Sequence, residues 1–155
     1  MRSLALGSIL LLGGCTFAAA SSAPAAAPPP AGGGATAAID VDLTLHAPMT
    51  IPAGTGAGFA PLVTTVAVGT VIRFTNSDSF AHTASSFAGS AFPSASPLGS
   101  GALNAAGDRL STGFTSGNLN PGASSQPIIA DVAGTYLFGC FYHYTAPMRA
   151  MIVVH

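Results

Sequence analysis

Cys140-Phe141-Tyr142-His143-Tyr144-Thr145-Ala146-Pro147-Met148 puts a thiol, an imidazole and a thioether on one short segment, spaced Cys-x-x-His-x-x-x-x-Met. Strand-like sequence lies on both sides, Gly134-Thr135-Tyr136-Leu137-Phe138 before it and Met151-Ile152-Val153-Val154 after it. The pattern predicts a loop between two strands, where a rigid sheet can hold the three side chains in place. Two sulfur donors and one nitrogen donor suit a soft metal, above all copper. Such a site needs one more imidazole from elsewhere in the chain, and His82 is the candidate.

Working outward, the 155 residues leave room for one domain and little more. Only 6% are charged and the net charge is −1, which excludes a basic nucleic-acid footprint and argues against steering by a strong field. Apolar periodicity of the helical kind is missing. Alternation of the strand kind, punctuated by Gly, Pro and Asn, recurs instead, so the sequence predicts an all-β domain.

The N-terminal region reads as three consecutive pieces. Residues 1–14 have the form of an export signal, with Arg2 as the positive start and Leu4 to Leu12 as an apolar core too short to span a membrane. Leu12-Gly13-Gly14-Cys15 resembles a bacterial lipobox, which implies cleavage before Cys15 and a lipid on that residue. An ordinary secretory signal, cleaved after Ala18-Ala19-Ala20, is the alternative. Either way the domain is expected outside the cytoplasm, periplasmic or at the cell surface, with no membrane contact beyond a lipid at Cys15. Residues 15–38 are mostly Ala, Pro, Gly and Ser, with no large apolar residue after Phe17, the composition of a tether.

The folded domain is expected over residues 39–155. Ile39-Asp40-Val41-Asp42-Leu43-Thr44-Leu45 alternates as a half-buried strand. Leu62 to Val68, Val71 to Asn76 and Gln126 to Val132 are further strands. Asn76-Ser77-Asp78-Ser79 is a turn, because Asn and Asp side chains bond nearby backbone, and His82 opens a short strand after it. Residues 87–113 form a long Gly/Ser/Ala/Pro-rich stretch that sequence pattern does not place.

In these pieces the chain resembles a cupredoxin of the plastocyanin, pseudoazurin and amicyanin group. The resemblance is carried in order by Val71-Ile72-Arg73-Phe74-Thr75-Asn76-Ser77-Asp78 with His82-Thr83, by Phe114 to Gly122, and by Gly134-Thr135-Tyr136 running into Cys140, His143 and Met148. It implies an antiparallel Greek-key β-sandwich of seven or eight strands. It also implies one type 1 copper ion held by His82, Cys140, His143 and Met148, the His2Cys trigonal site with a long axial thioether. Asn76 and Thr83 are then the residues expected to orient the ligand loops, with the Thr83 hydroxyl tying its strand to the Cys140 loop. The sequence departs from the family at Phe141-Tyr142, where relatives often carry a small polar residue and Pro, and at Arg149-Ala150, where many have x-Gly.

Electron transfer as a Cu(II)/Cu(I) carrier is the expected function. The chain is expected to be a monomer and no enzyme, docking a redox partner near His143 through an apolar patch that includes Phe80, Tyr142 and Tyr144. Copper storage or delivery is the alternative, weakened because the four His and four Met do not cluster. Only His46 and His155 remain for a second, catalytic copper, and they have no partner pattern. No Gly-x-Ser-x-Gly elbow supports a hydrolase.

Overall fold

The structure is a computed structural model and describes residues 34–155. The expected signal over 1–14, Cys15 and the tether as far as residue 33 lie outside the described residues. Along the described chain run β1 (Thr36–Val41), β2 (Met49–Ile51), β3 (Gly54–Gly56), β4 (Phe59–Ala60), β5 (Val63–Val66) and β6 (Val71–Asn76). Then come β7 (Ser85–Phe87), a 3-10 turn (Ser100–Leu103), β8 (Ala105–Arg109), β9 (Gly113–Ser116), β10 (Ile128–Ile129), β11 (Gly134–Gly139) and β12 (Arg149–Val154). Pairing starts at Thr36, inside the stretch read as tether.

Ten strands share one hydrogen-bonded ladder in the order β4-β1-β6-β10-β8-β9-β7-β11-β12-β5, and β2 and β3 form a separate ribbon. The all-β class is as expected, but the strand count is higher and the pairing is mixed. β1 with β6, β10 with β8 and β12 with β5 run parallel. Turn residues divide what would be long strands into pieces of two or three residues, β2, β3, β4 and β10 among them.

Two of these divisions have a visible cause. β1 stops at Val41 rather than Leu45 because Asp42 Oδ1 accepts the N–H groups of Thr44 at 2.8 Å and Leu45 at 2.9 Å. A side chain that takes those donors offers the backbone an alternative to the ladder, and Leu45 is left 71% exposed. The strand read over Gln126–Val132 reduces to Ile128–Ile129. Before it, Ser125 Oγ accepts the Phe74 N–H and donates to Gln126 O, which ends the regular pattern.

The core shows how the ladder folds on itself. Phe74 on β6 and Phe138 on β11 are not on neighbouring strands, yet their rings meet edge to face at 5.1 Å. Phe59 and Phe114 join them. Ile39, Val41, Ile72 and Ile128 come from one layer, and Ala150, Ile152 and Val154 face them from the other. Successive residues of a strand point to opposite faces, so Leu137 and Met151 turn away and close a second cluster with Ala53, Ile51, Val63, Phe87 and Phe92. Truncating a fully buried Phe such as Phe138 costs about 3–5 kcal/mol.

The unplaced stretch 87–113 carries the 3-10 turn and β8, and it leads into β9. The register slips between Ala106 and Arg109, and Gly107 at φ +70° sits in the bulge. A Cβ there would strike the carbonyl of Gly113, so this bulge requires glycine.

Candidate metal centre

β11 and β12 pair antiparallel along their whole length, Gly134 opposite Val154 and Gly139 opposite Arg149. The loop between them therefore leaves and returns at one point. It is wound by backbone bonds from Cys140 N–H to Met148 O (2.9 Å), Ala146 N–H to His143 O (2.9 Å) and Met148 N–H to His143 O (3.1 Å). Cys140 and Met148 are fully buried and His143 is partly exposed.

His82 comes from the other layer, on the connection between β6 and β7. It does not open a strand. Its backbone makes an isolated bridge to Leu119, with N–H to O bonds of 3.1 and 2.8 Å. Asn76, buried at the end of β6, holds this connection in shape. Its Nδ2 donates to Phe80 O and Leu119 O, both at 2.8 Å, and its Oδ1 accepts the Asp78 N–H at 3.0 Å.

These elements bring His82, Cys140 and His143 together, with one donor atom of each within 4.8 Å of the others. Cys140 Sγ lies 3.7 Å from His82 Nδ1 and 3.8 Å from His143 Nδ1, and the two nitrogens are 3.2 Å apart. An ion about 2.0 Å from each nitrogen and about 2.3 Å from sulfur, at the centre of a trigonal plane, needs about 3.5 Å between nitrogens and about 3.7 Å from nitrogen to sulfur. The triangle fits. Met148 carries a thioether on the same loop and packs against Gly58, where a built Cβ would lie 2.6 Å from Met148 Cγ.

Thr83 links the two ligand-bearing segments. Its N–H donates to Cys140 Sγ at 3.4 Å, and its Oγ1 accepts the Phe141 N–H at 2.9 Å. Burial opposes a charge on Cys140. The His82 ring and the N–H groups of Thr83, His143 and Tyr142 outweigh it and hold the thiol below its ordinary pKa. Burial likewise opposes a charge on His82, and contact with Cys140 and Asp78 raises its pKa instead. His143 is lowered, by burial and then by the neighbouring His82.

Two features escaped the sequence reading. Asp78, read only as a turn residue, is buried with its carboxylate 3.0 Å from His82 Nε2. The Asp-x-x-x-His spacing carries that signal. Tyr144 was expected at the apolar rim but is only 1% exposed. The turn that directs His143 outward points Tyr144 inward against Gly139, where a Cβ would lie 2.9 Å from the ring. Its hydroxyl donates to Pro93 O at 3.1 Å, and Arg149 lies 4.9 Å from the ring centroid. The rim consists of Phe80 (39% exposed) and Tyr142 (44% exposed), whose rings flank His143 at 5.5 and 6.1 Å. His46 pairs with Asp40 at 2.8 Å, and His155 is exposed.

No family model matches this sequence, and no curated protein does. Among solved structures it is similar to a purple cupredoxin from Nitrosopumilus maritimus, at 24% identity over 77% of this chain and 99% of that one, with a TM-score of 0.49. It is similar to oxidised plastocyanin from Dryopteris crassirhizoma at 22% identity, over 77% of this chain and 100% of that one, with a TM-score of 0.45. A reduced amicyanin mutant matches at 16% identity, over 80% of this chain and 85% of that one, with a TM-score of 0.47. Judged on its own donors, two imidazoles and a buried thiol with a thioether on the same loop, the centre has a donor set that suits a soft metal ion such as copper.

Proposed function

We propose that this protein is a one-electron carrier that holds a single copper ion and works outside the cytoplasm. The observation that carries the reading is the donor triangle, whose edges of 3.2, 3.7 and 3.8 Å suit a trigonal ion bound to two Nδ1 atoms and one Sγ. Copper would supply the Cu(II)/Cu(I) couple, with the thiolate and thioether favouring the reduced ion and the imidazoles serving both. The protein's part is to fix the donors. His82 and Cys140 are fully buried and anchored by backbone bonds, which limits rearrangement between oxidation states.

His143 provides the route to a partner. Its ring is the one donor with an exposed edge, set in a shallow apolar concavity lined by Phe80, Ala81, Tyr142 and His143. A redox protein docking there would bury little area, as redox encounters do.

Export and a lipid at Cys15 belong to the same proposal and rest on the signal-like sequence of residues 1–15. Among the described residues, no helix is long and apolar enough to cross a membrane. Cys15→Ser protein that still partitions with membranes would count against the anchor.

The deciding experiment adds Cu(II) to residues 34–155 and records visible and electron paramagnetic resonance spectra, followed by redox titration. An intense thiolate-to-copper band with narrow hyperfine splitting, and a reversible one-electron couple, are expected. A pale tetragonal copper spectrum, or a bound ion that does not cycle, would leave copper storage or delivery as the better account.

A further inference from the structure

We infer that Asp78 is a positioning residue for the copper ligand His82, setting both its tautomer and the balance between the two oxidation states. This rests on the copper reading above, through the role of His82 as a ligand.

The geometry is specific. His82 presents Nδ1 to the donor triangle and Nε2 to Asp78 Oδ2, 3.0 Å away. A metal on Nδ1 needs that nitrogen free of its proton, so the ring proton must sit on Nε2. A carboxylate accepts that proton as a hydrogen bond and cannot donate one back. Asp78 thus favours the ligating tautomer and fixes the plane of the ring.

The pair is also out of water. The side chains of His82 and Asp78 are 0% and 2% exposed, so solvent screens the contact little. Asp78 is itself held on three sides. Oδ2 also accepts the Leu43 N–H at 2.9 Å, Oδ1 accepts the Ser79 N–H at 2.7 Å, and the Asp78 N–H is bound by Asn76. Leu43 follows β1, so the carboxylate joins the edge of one layer to the ligand.

A carboxylate hydrogen-bonded to a ligand imidazole makes that imidazole a better donor. Removing such a partner lowers metal affinity about 10- to 100-fold. The negative charge favours Cu(II) over Cu(I), so Asp78 holds the reduction potential down.

Two measurements test this. In the metal-free and Cu(I)-loaded wild-type protein, nitrogen-15 NMR should show His82 protonated at Nε2, with a nuclear Overhauser contact from that proton to the Asp78 β-protons. A ring protonated at Nδ1 alone, or an Nε2 proton with no such contact, overturns the assignment whether or not any variant folds. In the copper protein, Asp78→Asn should weaken Cu(II) binding about 10- to 100-fold and Cu(I) binding less. The potential should rise by up to about 120 mV, the 100-fold figure at 59 mV per decade for one electron. Asp40→Asn, which removes a charge but no bond to a ligand, should leave the potential near the wild-type value. Equal shifts in the two variants, or none in Asp78→Asn, would overturn the role. A wild-type protein without the thiolate band would instead sink the copper reading, while the tautomer of His82 stayed measurable.

Discussion

Gly58→Ala tests the seat of the axial thioether. Gly58 has φ +72°, in the left-handed region, and its missing side chain faces the site. A Cβ built there lies 2.6 Å from Met148 Cγ, 3.1 Å from Met148 Cε and 3.2 Å from Leu43 Cδ1. Ordinary contact begins near 3.4 Å, so Met148 Cγ must retreat by about 0.8 Å (3.4 − 2.6). Met148 is fully buried, so it cannot swing out into solvent without leaving the core. Two costs then add: about 1–2 kcal/mol for an alanine in left-handed backbone and about 1–3 kcal/mol for overpacking. Gly122→Ala separates them, because Gly122 has φ +78° with nothing within 4 Å of its Cβ position. Urea denaturation of the metal-free proteins should show a loss of about 1–2 kcal/mol for Gly122→Ala and about 2–5 kcal/mol for Gly58→Ala. With copper bound, only Gly58→Ala should alter the spectrum. Equal losses and identical spectra would mean that Met148 is not seated on Gly58, and the placement of the thioether would fall.

Thr83→Val removes the hydroxyl that accepts the Phe141 N–H while keeping the side-chain shape, and should cost about 1–3 kcal/mol. Hydrogen exchange at the Phe141 amide should quicken in Thr83→Val and stay slow in Thr83→Ser; unchanged protection in Thr83→Val would refute the link. Ser111 provides a test in pH. Its hydroxyl and N–H bond the Asp131 carboxylate and hold its pKa below the ordinary carboxylate value. A depressed carboxylate pKa contributes stability that is present above the unfolded value and lost as pH falls through the folded one. Wild type should therefore exceed Ser111→Ala in urea midpoint at about pH 6, and the gap should narrow as pH falls through and below the ordinary carboxylate range. A gap that persists in acid would refute it.

How far the sequence shows the fold depends on how local the cause is. β6, β11 and β12 were legible because their apolar residues alternate or run together, and Asn76 and Gly139 end the first two. The grouping of His82, Cys140 and His143 was legible because two of the three lie on one short loop. β8 was not, because Ala105 to Arg109 is exposed throughout and has no apolar pattern to betray it. It is a strand only because β9 and β10 lie beside it. The inward turn of Tyr144 was equally hidden. It depends on Gly139 leaving room and Arg149 stacking from the two ends of the loop, and on Pro93, 51 residues away, offering a carbonyl. Asp78 is the intermediate case. Its spacing from His82 was in view, but a turn already accounted for an Asp at that place.

The restraints on the donors are uneven, and the unevenness bears on how the protein could work. His82 is fixed through its backbone by Leu119 and through its ring by Asp78, and Cys140 through Thr83 and Met148. The loop beyond them is clamped from outside. Arg149 donates to Thr55 O and Pro93 O, each at 2.9 Å, and lies over Phe92 as well as Tyr144. His143 is the exception. Its ring has contacts with Phe80, Tyr142 and the other two donors, but among the described residues no hydrogen bond reaches its Nε2. A stiff buried side and a single accessible ring suit electron exchange through that ring better than release of a metal ion, which requires several donors to let go. Among the described residues, no Asp, Glu, Lys or Arg lines the concavity around His143, and the chain has only four basic and five acidic residues. Association through this face would then draw on apolar burial rather than charge, and its rate should change little with ionic strength.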